Sequence, residues 1–363
     1  MRKSLKCKKP VKKSVKRGLG KMSMKRVTSN NKIDFVVLWV DPNDKKWQES
    51  RKKARKQFSF NDSIDDKEAR YRDWGLFKYW FRSVEKYAPW VNKVYLVTCG
   101  HVPEWLNLKS PKLEVIKHSD IMPEDALPTF NSNAIELCVH NIPNLSEQFV
   151  LFNDDMFLIK PVKPSDFFKN GKPKNTMSLF SLMASCNGQK FYKVVANNIT
   201  IINKHFSFAA SRRKNLLKYL SLKQRQWILF TYPLLIYNQF VGFRDFHIPI
   251  SYLKQTFNTV WKEEEELLKC TVYSKFRDNE RNVSHWLFNY WQFASGEFEQ
   301  RNANFGTSVK VDNPGIDKVF RRRGLRTICI NDTDLSDVEF DRLKIMLANQ
   351  FEVILPEKCS FEV

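Results

Sequence analysis

The sequence predicts an α/β fold in which helices flank a mixed, largely parallel sheet, followed by a helical C-terminal part. Two observations lead to this prediction. Short apolar, β-branched runs alternate with helical patterns along residues 32–160, as in βαβ units. Polar residues, mostly Asp, Asn and His, follow directly after these runs, at the strand ends where open α/β sheets bind their ligands.

Apolar runs bounded by turn residues mark the predicted strands. Each run is short and rich in Val, Ile, Leu or Phe, which suits strands that are buried on both faces. The predicted strands cover residues 32–40, 93–98, 113–117, 148–152 and 327–330, with further strands expected within 178–195.

Helices are predicted where apolar residues recur at a spacing of three or four. Residues 224–237 are so rich in apolar and aromatic side chains that a buried helix pair or cap is predicted there. The other predicted helices cover residues 47–57, 76–87, 132–140, 283–296 and 336–348, with a basic helix inside 206–222 and another that ends at Lys262.

Residues 126–159 are the stretch around which the fold is organised. A polar loop, a helix and a proline turn lead into the strand 148–152, which delivers Asn153, Asp154 and Asp155 at its carboxyl end. Paired aspartates in that position are candidates for binding or catalysis. The alternative is a solvated turn, because Asn and Asp are common turn residues.

The positive charge of the chain is concentrated near its start. The net charge is +22, and residues 1–32 hold 13 of the 61 Lys and Arg residues without any Asp or Glu. This composition predicts a disordered tail over residues 1–31. Three interpretations of the tail stay open: contact with an anionic membrane, contact with nucleic acid, or simple solvation.

Neither secretion nor a membrane span is predicted. The tail lacks the apolar core of a signal peptide, and the longest apolar run elsewhere has 11 residues, whereas a bilayer span needs about 20. The seven cysteines are scattered without a C-x-x-C spacing, so neither a disulfide framework nor a cysteine zinc site is expected. The sequence therefore predicts a cytoplasmic protein, with peripheral attachment to the inner face of the plasma membrane as a hypothesis for the tail.

Familiar nucleotide and hydrolase motifs are absent from the sequence. It has no P-loop, no G-x-G-x-x-G after its first strand, no G-x-S-x-G elbow and no H-E-x-x-H helix. Carboxylates and amides at strand ends instead suit a hard divalent cation such as Mg²⁺ or Mn²⁺, which neutralises charge on a transferred phosphate. On composition alone, a nucleotide-sugar enzyme is favoured among several interpretations.

Five stretches together resemble a known family. They read IDFVVLWVDPND, RYRDWGLFKYWFRSVEKYAPWVNKVYLVTCGHVPEWLN, HSDIMPEDALPTFNSNAIELCVHNIPNLSEQFVLFNDDMFL, FRDFHIPISYLK and FRDNERNVSHWLFNYWQFASG. The first three strongly resemble the first two signature regions of the Stealth family, and the last two are similar to its third and fourth regions. The resemblance spans residues 33–334, and its second region is long and specific.

The Stealth family includes bacterial capsular-polysaccharide sugar-1-phosphate transferases and the animal lysosomal-enzyme N-acetylglucosamine-1-phosphotransferase. The resemblance implies transfer of a hexose-1-phosphate, expected to be an N-acetylhexosamine-1-phosphate, from a UDP-sugar to a hydroxyl of a growing capsular or surface polysaccharide, with release of UMP. It also implies a glycosyltransferase-A-like core. Residues 32–334 would form the transferase domain, with a nucleotide-sugar-binding core at 32–160, an acceptor or cap part at 161–334, and a C-terminal helix and tail at 335–363.

The resemblance also implies roles for individual residues. The substrate-binding residues, which would line the nucleotide, phosphate and sugar sites of the donor, are Trp39, Asp41, Asp44, Arg72, Asn131, Asn133 and Glu136. Asp154 and Asp155 would hold the metal or orient the acceptor. The catalytic residues would be His247 as general base, Asp155, Asp73 beside the donor phosphates, and Arg277 on the phosphoryl charge.

Structural interpretations stand beside these roles. Asp41 and Asp44 are also common turn formers. Arg72 and Asp73 suit an ion pair that caps the following helix, and His247 suits a packed core position. Two other functions stay open as well. One is an ordinary glycosyltransferase that releases UDP, and the other is a basic polyanion-binding protein, although no nucleic-acid partner is expected because the basic residues concentrate in a tail.

Overall fold

The computed structural model describes residues 32–58, 64–66, 72–182 and 191–363, and the predicted tail, residues 1–31, lies outside them. In this part of the chain the strands are β1 (Ile33–Leu38), β2 (Ile64–Asp65), β3 (Val94–Thr98), β4 (Leu113–Lys117), β5 (Gln148–Asn153), β6 (Met156–Leu158), β7 (Phe168–Lys169), β8 (Lys172–Asn175), β9 (Ile250–Leu253), β10 (Arg277–Asp278), β11 (Glu299–Gln300), β12 (Gly306–Lys310) and β13 (Thr327–Asn331).

Helices make up most of the remaining described chain. The α-helices are α1 (Lys45–Gln57), α2 (Phe77–Tyr87), α3 (His118–Ile121), α4 (Ser132–Cys138), α5 (Pro164–Phe167), α6 (Tyr192–His205), α7 (Phe208–Tyr219), α8 (Ile228–Leu234), α9 (Lys254–Val272), α10 (Trp286–Ser295), α11 (Ile316–Arg321) and α12 (Asp337–Ile354). Short 3₁₀ helices cover Glu124–Ala126, Val139–Asn141, Leu222–Trp227 and Ala303–Phe305.

Five strands form the central sheet, in the order β4-β3-β1-β5-β9. The first four strands are parallel, and β9 runs antiparallel to β5. All six residues of β1 are buried, which explains why its sequence is nearly continuous in apolar residues rather than alternating. The predicted mixed, largely parallel sheet is therefore confirmed.

Hydrophobic cores lie on both faces of this sheet. Phe35 and Val37 of β1 pack into one core with residues of α2 and α12. Val36 and Leu38 pack into the other core with residues of α4, α9 and α10, because successive side chains of a strand point to opposite faces. Burying one Phe or Val side chain contributes roughly 1.5–3 kcal/mol, so both faces help to fix the position of the strand.

A second, smaller sheet begins where β5 ends. Strand β6 pairs antiparallel with β13, which in turn pairs parallel with β12. Asp154 and Asp155 are the two residues between β5 and β6, so they form the joint between the two sheets. The N–H of Ile330 in β13 donates to the carbonyl of Asp155 at 3.0 Å and holds the joint in place.

The C-terminal part is largely helical, as predicted, but two of its segments differ from the prediction. Strands were predicted within residues 178–195. The described part of this segment instead contains an isolated β-bridge at Leu179 and the start of α6 at Tyr192. Residues 224–237 were predicted to be buried, and this is wrong, because most of their large side chains are exposed. The apolar content of a segment does not reveal what covers it.

Two further features bear on the predicted organisation. Strand β9 comes from the predicted cap part yet pairs with β5 of the predicted core. The division of the domain near residue 160 stays a prediction. None of the described helices has both the length and the apolar character required to cross a bilayer.

Candidate active site

Three neighbouring strands bring predicted site residues to one edge of the central sheet. Leu38 of β1 lies opposite Asn153 of β5 in the strand pairing. The N–H of Trp39 donates to the carbonyl of Val97 in β3 at 3.0 Å. The residues that follow β1 therefore lie beside Asp154, as expected where parallel strands end together.

Asp41 and Asp44 form the turn between β1 and α1. Oδ1 of Asp41 accepts a hydrogen bond from the N–H of Asn43 at 2.9 Å. Oδ1 of Asp44 caps α1 by accepting from the N–H of Trp47 at 2.6 Å. The two carboxylates thus act as turn and cap residues, and their role in a nucleotide pocket stays a prediction.

Trp39 and His101 form an aromatic pair next to this turn. The Trp39 ring stacks on Phe77 with centroids 5.4 Å apart, and the His101 ring meets it edge-on at 5.2 Å. Nε2 of His101 accepts the N–H of Asp41 at 2.7 Å. Burial lowers the pKa of His101, although Asp44 and Asp41 act in the opposite direction, so the imidazole is neutral at pH 7.

Arg72 and Asp73 do not pair with each other. The guanidinium of Arg72 lies 3.8 Å from Oδ1 of Asp332 and donates to the carbonyl of Leu335 at 3.2 Å. Oδ1 of Asp73 accepts the N–H of Gly75 at 2.8 Å, and Gly75 adopts a φ of +65° that favours glycine. The alternative of an Arg72–Asp73 ion pair is therefore wrong, whereas their place beside donor phosphates stays a prediction.

Asp154 and Asp155 provide two adjacent carboxylates at the carboxyl end of β5. Surrounding protein, followed by the charges of Asp155 and Asp73, raises the pKa of Asp154 to about 7, although the residue keeps an exposed surface. Oδ1 of Asp155 is buried and accepts no hydrogen bond of ordinary geometry from the described residues.

His247 approaches Asp155 from the loop before β9. An imidazole nitrogen, a carboxylate oxygen of Asp155 and the sulfur of Cys329 all lie within 4.8 Å of one another. His247 has a φ of +46°, in the left-handed region that residues other than glycine rarely adopt. Such strained residues cluster at functional sites. The structure thus brings together two residues predicted to be catalytic from distant parts of the sequence.

The oxygen atoms of this site fit a hard divalent cation. Mg²⁺ typically binds one or two carboxylates together with substrate phosphates, and Asp154 and Asp155 offer such oxygens. A thiolate would suit a softer cation, but burial and the nearby carboxylates raise the pKa of Cys329 well above its usual value. The Cys329 thiol is therefore protonated and a poor ligand. The predicted carboxylate pair fits the cation better than the set that includes Cys329.

Glu136, Arg277 and His285 form a second polar cluster. Burial raises the pKa of Glu136 to about 7, against the effect of Arg277. Nε2 of His285 lies 3.8 Å from Oε2 of Glu136. Burial, followed by the charges of His247 and Arg277, lowers the pKa of His285 to about 3, so this contact is not an ion pair at neutral pH. Arg277 also donates to the Ser132 hydroxyl.

Asn131 and Asn133 begin α4 and differ in what they bind. The Asn131 side chain caps the helix by accepting the N–H of Asn133 at 3.2 Å, and its Nδ2 donates to Asn282 at 2.9 Å. Nδ2 of Asn133 is buried without a hydrogen-bond partner among the described residues. Asn133 is therefore the better placed of the two to bind a ligand.

A small cleft beside His247 is lined in part by the buried cation Arg301. Arg301 is 2% exposed, and its Nη2 donates to the carbonyl of Pro249 at 3.0 Å. Its Nε and Nη1 have no hydrogen-bond partner in the described parts of the chain. Burial lowers the pKa of Arg301 to about 9, which leaves it charged at neutral pH. A buried guanidinium with two free donors suits an anionic ligand.

Sequence reasoning missed four residues of this site. Asp245 and His285 stand inside stretches that carried the family resemblance, so the signal was present there. Burial raises the pKa of Asp245 to about 8, and its Oδ2 accepts the Tyr290 hydroxyl at 2.6 Å. His101 follows β3 and had a weak positional signal. Arg301 had none, because only the fold shows that it lines the cleft.

Comparisons with known proteins agree with the sequence resemblance. The family models for conserved region 1 and conserved region 2 of Stealth proteins match residues 31–59 and 70–176. The chain is 42% identical over 332 residues to a capsular polysaccharide phosphotransferase WcwK of Streptococcus pneumoniae, covering 91% of this chain and 98% of that protein. It is 40% identical over 332 residues to exopolysaccharide phosphotransferase cps2G of Lactiplantibacillus plantarum, covering 91% and 96%. It is also 40% identical over 344 residues to receptor polysaccharide phosphotransferase WefC of Streptococcus oralis, covering 92% and 100%.

Solved structures with a related arrangement are distant. The galactosyltransferase LgtC in complex with donor and acceptor sugar analogues gives a TM-score of 0.37 at 10% identity, over 86% of this chain and 95% of that one. The glycosyltransferase GlyE of Streptococcus pneumoniae TIGR4 gives a TM-score of 0.36 at 10% identity, over 90% and 62%. The fold class assigned above rests on the sheet itself.

Proposed function

The chain belongs to the Stealth family and is a phosphotransferase, and from this premise we propose that it transfers a hexose-1-phosphate to a polysaccharide hydroxyl. The proposed donor is a UDP-activated N-acetylhexosamine, and the proposed acceptor is a growing capsular or surface polysaccharide. The products would be a phosphodiester and UMP. The observation that supports this proposal best is the approach of His247 to Asp155, beside a cleft that contains the buried Arg301 cation.

In the proposed reaction His247 accepts the proton of the acceptor hydroxyl. The acceptor oxygen attacks the phosphorus that carries the sugar and forms a new P–O bond. The P–O bond to the uridine-bearing phosphate breaks, and UMP leaves with the electron pair. The bond between the anomeric carbon and its oxygen is untouched, so the anomeric configuration is kept. Asp155 lies within 4.8 Å of the His247 nitrogen, close enough to orient the hydroxyl against the base.

Two arginines supply positive charge for the phosphates in this proposal. Arg277 keeps the role suggested by the family resemblance, and its effect on the pKa of Glu136 supports a position beside the predicted sugar site. Arg301 adds a second cation in the His247 cleft, with two donors free among the described residues. Guanidinium groups bind phosphate oxygens with two parallel hydrogen bonds, which stabilises charge that develops during transfer.

The donor would bind along the carboxyl edge of β1, β3 and β5. The nucleotide pocket would be lined by Trp39, Asp41 and Asp44, with Arg72 and Asp73 beside the phosphates. The sugar and its phosphate would contact residues of α4, with Asn131 positioning the helix start and Asn133 and Glu136 as the contacting groups. Nδ2 of Asn133, which has no hydrogen-bond partner among the described residues, and the buried carboxyl of Glu136 support this assignment.

The proposed cofactor is Mg²⁺ or Mn²⁺, which Asp154 and Asp155 would hold. When bound, the cation would neutralise negative charge on the donor phosphates. Oδ1 of Asp155 accepts no hydrogen bond of ordinary geometry from the described residues, and the charge of Asp155 helps to raise the pKa of Asp154. Both observations support a cation at this place. In this proposal His247 accepts the proton, and Arg277 and Arg301 bind the phosphates.

Product analysis tests the proposal directly. Purified full-length protein is incubated with Mg²⁺, a panel of UDP-sugars and oligosaccharide acceptors, and the released nucleotide is identified by chromatography. We expect UMP together with a phosphodiester signal in phosphorus NMR. Release of UDP would contradict the mechanism and favour an ordinary glycosyltransferase. Because the chain is a phosphotransferase, the alternative of a non-catalytic polyanion-binding protein is not retained.

Variants connect this activity to the site. We expect His247→Gln and Asp155→Asn to lower kcat by about 10²–10⁴ while urea unfolding is unchanged within about 1 kcal/mol. Asp312→Asn is the matched control, because it removes an exposed carboxylate away from the cleft. Full activity in His247→Gln would show that His247 is not the base.

A further inference from the structure

Residues 213–237 form an exposed surface, here named the 213–237 surface, that is both apolar and basic. It contains the end of α7, the 3₁₀ turn Leu222–Trp227, helix α8 and the three residues that follow. Leu217 and Leu222 are 88% and 84% exposed, and Ile236 is 78% exposed. The other large apolar side chains exposed in this surface are Leu216, Leu229, Phe230, Tyr232 and Tyr237.

The polarity of this segment is inverted relative to a helix that faces water. Gln224 and Thr231 are fully buried, and the Thr231 hydroxyl donates to Oε1 of Gln224 at 2.6 Å. The same hydroxyl oxygen accepts the N–H of Leu179 at 3.1 Å. A helix at a water-exposed surface buries its apolar side chains and exposes its polar ones. Here Gln224 and Thr231 are buried polar anchors, and although Leu234 and Leu235 pack against the core, most of the other large apolar side chains face outward.

The charge of the surrounding chain has one sign. Residues 167–244 contain 13 Lys and Arg residues and no Asp or Glu over 78 positions. Arg213, Lys214, Lys223 and Arg225 are exposed within the 213–237 surface. An anionic bilayer matches this combination, because basic side chains meet lipid phosphates while neighbouring apolar side chains enter the acyl boundary. Tyr and Trp side chains also favour that boundary.

The surface adjoins the cleft of the candidate active site. The Trp227 ring lies 3.5 Å from the guanidinium carbon of Arg244, and its centroid lies 6.1 Å from that of Phe246. Arg244 and Phe246 line the same cleft as His247. A bilayer in contact with the 213–237 surface would therefore lie next to the cleft.

We propose that the 213–237 surface docks the protein on an anionic phospholipid bilayer without spanning it. The occupant is a lipid surface with negatively charged head groups, matched by charge and by the outward apolar side chains. This docking is separate from any role of residues 1–31. It also stands independently of the reaction proposed above, since it rests on exposure, polarity and charge alone.

Vesicle flotation tests the proposal with full-length protein. The probes are vesicles of phosphatidylcholine alone and vesicles of phosphatidylcholine and phosphatidylglycerol in equal amounts. We expect binding to the anionic vesicles and weaker binding to the neutral ones. The triple variant Leu222→Gln, Leu229→Gln, Ile236→Gln should bind anionic vesicles at least about tenfold more weakly, because three exposed apolar side chains are lost.

A second triple variant is the matched control. Val338, Ile345 and Val353 are exposed on α12 at 80%, 64% and 79%, so replacing them with Gln removes similar apolar area elsewhere. This control should bind vesicles like the unaltered protein. The proposed docking role of the 213–237 surface would be overturned if both triple variants lost vesicle binding equally, or if the first triple variant bound anionic vesicles like the unaltered protein. Conversion of a dimer to a monomer by the first triple, with vesicle binding unchanged, would show an interface between copies instead. Flotation needs no turnover, so its outcome is independent of the nucleotide assay.

Discussion

At the scale of single residues, Arg301 is a charged side chain whose burial costs free energy and whose position in the lining of the His247 cleft suits ligand binding. Its guanidinium is 2% exposed and is held by the Pro249 carbonyl and the face of Phe305, whose centroid is 4.4 Å away. Two of its donors have no partner in the described structure. Burying a cation that is incompletely paired costs several kcal/mol, and an apolar replacement of similar volume is often as stable or more so. An anionic ligand that pairs with these donors would offset this cost.

We therefore expect Arg301→Met to separate stability from activity. The free energy of unfolding should stay equal or rise, by up to about 2 kcal/mol, because the desolvated charge is removed. The specificity constant kcat/KM should fall about 10²-fold, because a charged contact to phosphate is lost. Urea unfolding and nucleotide release measure the two effects. Arg323→Met, at an exposed position, should change neither. A stability loss with normal turnover would make Arg301 a purely structural residue.

The residues that could be predicted from sequence share one property, which is a position next to a strand end or within a family motif. Asp154, Asp155 and His247 were found in this way, and the structure brings Asp155 and His247 together. The turn contact of Asp41 was also foreseen as an alternative, whereas the helix cap made by Asp44 was not. Arg301 could not be found, because its burial depends on segments that are distant in the sequence.

At the scale of elements, an ion pair joins α2 to the C-terminal residues of the chain. Nε and Nη2 of Arg82 donate to the two carboxylate oxygens of Glu362 at 2.7 and 2.9 Å. Both side chains are almost fully buried. The carbonyl of Phe361 accepts the N–H of Asn107 at 2.8 Å, and the Phe361 ring packs in the core. A buried bidentate pair therefore ties the C-terminal residues to the main domain.

We expect Glu362→Gln to lower the free energy of unfolding by about 3 kcal/mol at pH 7, because it leaves Arg82 without its main counter-charge. Although burial raises the pKa of Glu362, the hydrogen bonds and charge of Arg82 outweigh it and lower the pKa. The stabilisation is then present above the usual pKa of 4.5 and is lost as the pH falls through the folded-state value.

Urea unfolding at several pH values checks this expectation. The difference between Glu362→Gln and the unaltered protein should shrink as the pH falls below about 4.5. Glu352→Gln is the matched control, since Glu352 contacts the same arginine at 3.4 Å from a half-exposed position. Its effect should stay under about 1 kcal/mol. A constant difference at all pH values would contradict the assignment to the carboxylate charge.

The strands of the central sheet were predictable because each is a short apolar run that ends in turn residues. The exposure of segment 224–237 was not predictable. Its apolar residues indicate contact with an apolar partner, but they do not show whether that partner is protein. Strand β9 was missed for another reason. Its four residues merge in sequence with α9, so only its pairing with β5 distinguishes it.

At the scale of the whole molecule, cation binding by the carboxylate pair would appear as added stability. A ligand at 100 times its Kd stabilises the folded protein by about 2.7 kcal/mol, which corresponds to a rise in Tm of a few degrees for a chain of this size. We expect Mg²⁺ to raise the Tm of the unaltered protein and EDTA to reverse the rise. Thermal scans without substrate measure this effect independently of turnover.

The same scans on variants identify the ligands. Asp154→Asn and Asp155→Asn should abolish most of the Mg²⁺-dependent rise in Tm, whereas Asp312→Asn should retain it. If all three variants respond to Mg²⁺ like the unaltered protein, the cation binds elsewhere, and the proposed site at the end of β5 is wrong.

The joint between the two sheets restricts how this protein can diverge from its relatives. Asp154 and Asp155 alone connect β5 to β6, and Met156 must remain opposite Cys329. One inserted or deleted residue would turn the side chains of β6 to the opposite face. Descendants of a common ancestor should therefore inherit this length unchanged, while insertions and deletions accumulate in the outward-facing stretch around α8. If the 213–237 surface docks the protein on a bilayer as proposed, such changes would alter its attachment without altering its reaction.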